Sequence, residues 1–121
     1  MNELFKKFEE LELEISREKG EPVLFALFLS QESDNRWDIV VSADWLNNNN
    51  NRKDMTYFVN KVKRKLDSNQ LIELSKIVLL EPRNSFVKNI TNIFNNCRNI
   101  EISNSSLNGL NIKHAFIIKT K

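Results

Sequence analysis

The chain has 121 residues, a mass of 14.2 kDa and a formal net charge of only +2, a size that corresponds to one domain. A single cysteine and a single histidine exclude both an internal disulfide framework and a Cys/His zinc cluster. The longest apolar run, Val23 to Leu29, is too short to span a membrane, and the first twenty residues carry six glutamates where a signal peptide would be apolar. We therefore expect a cytoplasmic protein without a membrane segment.

The first part of the chain predicts a helix followed by two strands. Residues 2–18 are amphipathic, with apolar residues at helical spacing and with Gly20 and Pro22 just beyond them as stop signals. Residues 23–30 form a continuous apolar run, which favours a strand that is buried on both faces. Residues 36–43 alternate between two faces after a short polar turn, so the two strands should form an antiparallel hairpin.

The middle of the chain predicts a second helix, a strand and a third helix. Residues 52–66 carry an apolar stripe at helical spacing. Residues 76–81 repeat the pattern of a buried strand, which Pro82 should end. Asn84 or Ser85 can cap a third helix that continues to about residue 95, because both side chains accept hydrogen bonds from exposed backbone amides.

The last part of the chain predicts a closing hairpin. Residues 99–103 and 111–119 read as strands, and Asn108-Gly109 between them is a strong turn signal. The resulting order is α-β-β-α-β-α-β-β. It predicts a single-domain α+β or α/β protein whose mixed sheet of about five strands carries three helices, with helices on both faces.

Several kinds of catalytic site are poorly supported. The two glycines, Gly20 and Gly109, are too far apart to form a phosphate-binding loop, which needs clustered glycines. His114 lies in an apolar strand pattern and is expected to be packed and hydrogen-bonded, and Cys97 continues the apolar phase of the third helix as a buried thiol. These positions favour a non-catalytic protein without a cofactor.

Three carboxylates leave a metal-dependent nuclease or hydrolase as a third hypothesis. Asp38 and Asp44 lie around the second strand, and Glu81 ends the third. Magnesium nucleases hold their ion with acids at strand ends, often beside a lysine. Here Glu81-Pro82-Arg83 stands where that pattern needs a further strand and a lysine, so the match is incomplete.

The basic helix 52–66 supports nucleic-acid binding as the alternative function. Residues 1–51 carry eleven acidic and five basic side chains, whereas residues 52–121 carry five acidic and thirteen basic ones. Lys53, Tyr57, Lys61 and Arg64 lie opposite the apolar stripe, where cations could meet phosphates and tyrosine could stack on a base. The same charge asymmetry also fits two halves that face each other in the fold or across a dimer.

The favoured function is a protein-binding or regulatory module, with a homodimer as one form of it. Trp37, Trp45 and Leu46 are the predicted interaction residues, because tryptophan is enriched at interface hot spots. Strands 36–43 and 111–119 are candidate open edges that could pair across a dimer. In such a dimer, the acidic helix 2–18 and the basic helix 52–66 could attract each other between copies.

Overall fold

The computed structural model describes residues 3–30, 35–46, 51–107 and 109–121. Within them the chain forms four helices and a five-stranded sheet, which confirms the predicted α+β architecture and adds one short helix. The helices and strands in chain order are α1 Glu3–Lys19, β1 Leu24–Ser30, β2 Trp37–Ser42, α2 Asn51–Lys65, α3 Ser68–Ile72, β3 Leu74–Leu80, α4 Ser85–Ile93, β4 Arg98–Leu107 and β5 Leu110–Thr120. Most of the predicted turn 31–35, and Asn108 of the predicted hairpin turn, lie outside the described residues.

The strands are arranged in the order β3-β2-β1-β5-β4, so the apolar strand β1 is central. It pairs antiparallel with β2 and with β5, and β4 pairs antiparallel with β5, which confirms both predicted hairpins. The parallel pair is β2 with β3. The edges of the sheet are therefore β3 and β4. The prediction that strands 36–43 and 111–119 lie at open edges is wrong, because each has a neighbour on both sides.

One face of the sheet is covered by α1 and α2. Their apolar stripes bury Phe8 and Phe58 completely against Phe25 of the central strand. Strand alternation places Trp37, Ile39 and Val41 on this same face, as predicted. The buried carboxylate of Glu12 accepts hydrogen bonds from Ser16 and from Arg98, which ties α1 to the start of β4.

The opposite face is covered by α4, the helix that was predicted to start near Asn84. The Asn84 side chain accepts a hydrogen bond from the Phe86 amide at 2.9 Å and caps the helix. Val87 and Ile90 are fully buried against the sheet, whereas Ile93 at the end of the helix is 60% exposed. The outer strands keep their apolar residues on this face only partly buried: Val78, Leu80, Ile100 and Ile102.

Candidate functional site

One edge of the described sheet is formed by β3, whose apolar residues are only partly buried. The chain reaches it through α3, whose capping box joins the Asp67 carboxylate to the Gln70 amide and the Gln70 side chain to the Asp67 amide. The Gln70 side chain also accepts a hydrogen bond from Lys7 of α1 at 2.8 Å. The start of β3 is therefore held in place by contacts with a distant part of the chain.

The register of β3 decides which of its residues turn toward α2. Its pairing with β2 is irregular between Trp37 and Asp38, where Ser75 is an extra residue opposite them. After this bulge, Ile77 and Leu79 lie opposite Ile39 and Val41 of β2, on the face that α1 and α2 cover. Because β3 is at the edge, these side chains are only partly buried.

An apolar groove runs between α2 and β3, and we call it the α2/β3 groove. It consists of two cavities of about 490 Å³ and 460 Å³, and Met55 lines both of them. The larger cavity lies beside Val59, Leu74 and Ile77, and the smaller one lies beside Leu79. Two neighbouring open depressions with apolar side chains in their walls, along a strand edge, can accept side chains from an extended polypeptide.

The rim of the α2/β3 groove is basic. Arg52 lines the smaller cavity, whereas Lys63 and Lys76 line the larger one. Arg52 and Lys63 are exposed and form no ion pair with any acidic residue in the part of the chain that the structure describes. Lys76 lies opposite Asp38 in the sheet register, and strand alternation turns its side chain to the face that α4 covers. Arg52 and Lys63 therefore supply the charge of the rim. Burial raises the pKa of Asp38, against the opposing effects of Lys76 and of a hydrogen bond from Ser75.

The two edges of the sheet differ in backbone conformation. In β4, Asn99 and Asn104 have left-handed φ angles of 55° and 49°, which interrupt its extended backbone. No residue of β3 has a positive φ angle. An added strand needs a regular row of amide and carbonyl groups, which β3 offers from Lys76 to Leu80, beyond the bulge at Ser75, so β3 is the better template for pairing.

The predicted interaction residues Trp37, Trp45 and Leu46 do not together form an exposed surface. Trp37 is only 7% exposed and Leu46 only 4%, since both belong to the core beneath α1 and α2. The Trp37 ring meets Phe5 edge-on at 5.2 Å between centroids. Trp45 is half-buried, and its indole Nε1 donates a hydrogen bond to the Gly20 carbonyl at 3.3 Å.

The basic helix α2 is partly neutralised by the acidic helix α1. Lys61 contacts Glu14 at 3.2 Å and Glu18 at 3.0 Å, and Lys65 contacts Glu14 at 2.6 Å. The Tyr57 hydroxyl donates a hydrogen bond to Glu18 at 2.6 Å. The acidic and basic halves thus face each other within one chain through these helices, and this pairing is not free to act between copies.

This pairing divides the predicted nucleic-acid residues into two groups. Lys61 and Tyr57 are engaged with α1, and burial together with Glu18 raises the pKa of Tyr57. Lys53 and Arg64 are exposed, and neither pairs with an acid among the described residues. The structure therefore does not keep the four residues available as one phosphate-binding surface.

The three predicted metal-binding carboxylates do not converge. Asp38 and Asp44 are separated by most of β2, of which the stretch from Asp38 to Ser42 alone spans about 13 Å, whereas one ion holds its oxygens at about 2.0–2.6 Å. Asp44 lies 3.8 Å from Lys121, and Glu81 lies 3.7 Å from Arg83. In the described parts of the chain, no group of three or more His, Cys, Asp and Glu side chains could hold a metal ion.

His114 is packed between aromatic rings, as predicted, but its hydrogen bonding differs. Its ring lies 5.5 Å from Trp37 and 6.0 Å from Phe5 between centroids. Its Nε2 atom is buried without a hydrogen-bond partner in the described structure and lies 3.6 Å from a Glu101 carboxylate oxygen. Cys97 is half-buried, and its thiol donates to the Asn95 carbonyl at 3.3 Å.

The α2/β3 groove was not predicted from the sequence. Met55, Val59, Ile77 and Leu79 were assigned correctly to a helix and a strand, whereas Leu74 lies before the predicted strand 76–81; the exposure of all of them depends on β3 lying at the edge, which is a long-range property of the sheet. In comparisons with known proteins, no family model, curated protein or solved structure matches the chain. Among the described helices, none is long and apolar enough to cross a membrane.

Proposed function

We propose that this protein is a non-catalytic protein-binding module that takes up an extended segment of a partner protein along β3. The observation that carries this proposal is the coincidence of a sheet edge that is regular beyond the bulge at Ser75 with an apolar groove beside it. Backbone hydrogen bonds to β3 would supply part of the affinity, and side chains entering the two cavities would supply the rest.

The groove favours a polypeptide over a nucleic acid. Met55, Val59, Leu74, Ile77 and Leu79 provide apolar contacts, which suit alternate side chains of a strand and not a phosphate backbone. The cations of α2 that pair with no described acid are the remaining support for nucleic-acid binding. An oligonucleotide is therefore the competing ligand in the binding experiments.

The charge of the rim favours a partner protein over a second copy of this chain. In a symmetric dimer built on β3, both edges would bring Arg52, Lys63 and Lys76 to the interface. Like charges that meet across paired strands are destabilising. We therefore assign the groove to a different polypeptide.

The test uses a short synthetic peptide with alternating valine and threonine as the probe. Amide exchange and chemical shifts in two-dimensional NMR should show new protection in β3 and shifts at Met55, with no new protection in β4. Protection confined to β4, or no saturable change anywhere, would count against strand addition at β3.

A matched pair of variants separates groove contacts from general effects on α2. Met55→Gln keeps the side-chain length but removes an apolar contact shared by both cavities, and should weaken peptide binding about tenfold. Asn60→Gln changes an exposed residue of the same helix outside the groove and should leave binding unchanged. Equal losses in the two variants would contradict the proposed site.

A further inference from the structure

Resting on the proposed function, we infer that the segment bound in the α2/β3 groove is acidic at both ends, with apolar residues at alternate positions between them. The inference depends on which cations of α2 are already neutralised. Lys61 and Lys65 are paired with glutamates of α1, whereas Arg52 and Lys63 are not paired with any described acid.

The unpaired cations lie at the two ends of the groove. Arg52 lies beside Leu79 in the smaller cavity, and Lys63 lies beside Ile77 in the larger one. Along α2, the rise from Arg52 to Lys63 is about 16 Å at ~1.5 Å per residue. An extended chain covers that distance in about five residues, and its side chains share a face only at even spacing, so the two acidic side chains should be about six positions apart.

The spacing of the apolar residues follows from the strand. Ile77 and Leu79 are two residues apart on one face of β3, which corresponds to about 7 Å. Two apolar side chains separated by one residue would therefore match the two cavities. The segment that fits the groove has the form acid, any residue, apolar, any residue, apolar, any residue, acid, with the acidic and apolar side chains on one face.

The acidic residues of α1 that face α2 already contact Lys61, Lys65 and Tyr57. The cations on the opposite side of α2 are left to attract a partner. Exposed charge pairs of this kind are weak singly and are screened by salt, so the preference should be strongest at low ionic strength.

The experiment compares three peptides that differ only in their end charges. Each has the core Thr-Val-Thr-Val-Thr, carries one Glu, one Gln or one Lys residue at each end of that core, and is blocked at both termini. At low salt the Glu peptide should bind about three- to thirtyfold more tightly than the Gln peptide, and the Lys peptide should bind most weakly. At high salt, the three affinities should approach one another.

The outcomes separate the inference from the proposed function. Equal binding of all three peptides at β3 would overturn the acidic preference and leave strand addition intact. Tighter binding of the Lys peptide would overturn it as well. If none of the peptides protects β3, the proposed function itself fails.

Adjacent cations on α2 provide matched controls. Arg52→Gln and Lys63→Gln should reduce the advantage of the Glu peptide over the Gln peptide, whereas Lys53→Gln and Arg64→Gln, outside the groove, should preserve it. Equal effects of all four changes would contradict recognition at the groove. A single-stranded oligonucleotide that binds more tightly than the Glu peptide, and depends on all four cations, would replace the acidic segment with nucleic acid.

Discussion

The two faces of the sheet are covered by different means. On one face, α1 and α2 bury complete aromatic side chains and are joined to each other by a network of glutamates and lysines. On the other face, the nine-residue helix α4 covers the centre and leaves the outer strands partly exposed. Both faces have an apolar interior, but only the first has charged contacts that fix how its helices lie together.

The two edges of the sheet, β3 and β4, differ for the same reason. At β3, the helical layer of the first face ends with α2, whose outer side forms a wall beside the strand. At β4, Arg98 is held by the buried Glu12 of α1, and the backbone is interrupted by left-handed asparagines. The charged face thus secures one end of the sheet and leaves a lined groove at the other.

Removing one large aromatic side chain from each face gives the largest expected contrast. Phe58→Ala leaves a cavity beneath α2 and should lower the free energy of unfolding by about 3–5 kcal/mol. Phe86→Ala on α4 removes a ring that is already partly exposed and should cost about 1–2 kcal/mol. Urea denaturation of both variants measures the two losses, and equal losses would mean that α4 covers its face as completely as α2.

Removing one cation from each face tests the charged contacts. Lys65→Gln loses ion pairs with Glu10 and Glu14 and should cost about 0.5–1 kcal/mol at low salt, with a smaller cost in 1 M salt. Lys88→Gln changes an exposed lysine on α4 and should have no measurable effect at either salt concentration. A salt-independent loss in Lys65→Gln would indicate that the side chain acts through packing.

Acid titration should separate Glu14 on the first face from Asp38 on the second. Hydrogen bonding from Lys65 lowers the pKa of Glu14, so this residue contributes stability above its unfolded pKa that is lost as pH falls through its folded pKa. Burial raises the pKa of Asp38, so its contribution is present below its unfolded pKa and is lost as pH rises through its folded pKa.

The corresponding variants should therefore change the pH profile in opposite directions. Relative to the unmodified protein, Glu14→Gln should be less stable at pH 7 and similar in strong acid. Asp38→Asn should gain relative stability as pH rises from 3 to 7. Urea denaturation across that range checks both, and parallel profiles for the two variants would refute the assigned environments.

The smallest expected effects come from exposed apolar residues on the two faces. Leu13 on α1 is 51% exposed and Ile93 on α4 is 60% exposed. Substitution of either by serine should change the free energy of unfolding by no more than about 0.5 kcal/mol. A clearly larger loss for Ile93→Ser, measured at several protein concentrations, would show that α4 is covered by a second molecule in solution.

Much of the fold could be predicted from local patterns. The apolar stripe of residues 2–18 and the alternation of residues 36–43 depend on near neighbours, and both elements form close to their predicted bounds. The cap at Asn84 is equally local. Strand order cannot be predicted from near neighbours, because two helices separate β3 from β2 along the chain. When helices cover both faces of a sheet, an apolar strand fits its centre and its edge equally well.

The candidate site was harder to predict for the same reason. Trp37 and Leu46 were predicted at an interface because tryptophan is enriched at hot spots, yet both are buried in the core beneath α1 and α2. The charge pattern gave, as one alternative, that the acidic half 1–51 and the basic half 52–121 face each other in the fold, and α1 and α2 do so. The relative placement of α1 and α2 decides that Lys61 forms ion pairs with Glu14 and Glu18, whereas Lys63 pairs with no described acid.

The central position of β1 has a consequence for how the chain folds. Its first residue, Leu24, pairs with Ser42 on one side and with Thr120 on the other. The hairpin with β2 can form soon after synthesis of both strands, but the other side stays without its neighbour until β5 has left the ribosome. Pairing between such distant segments slows folding, and an unpaired apolar strand is prone to aggregate meanwhile. Nascent chains of this protein should therefore depend on chaperones until the last strand is made.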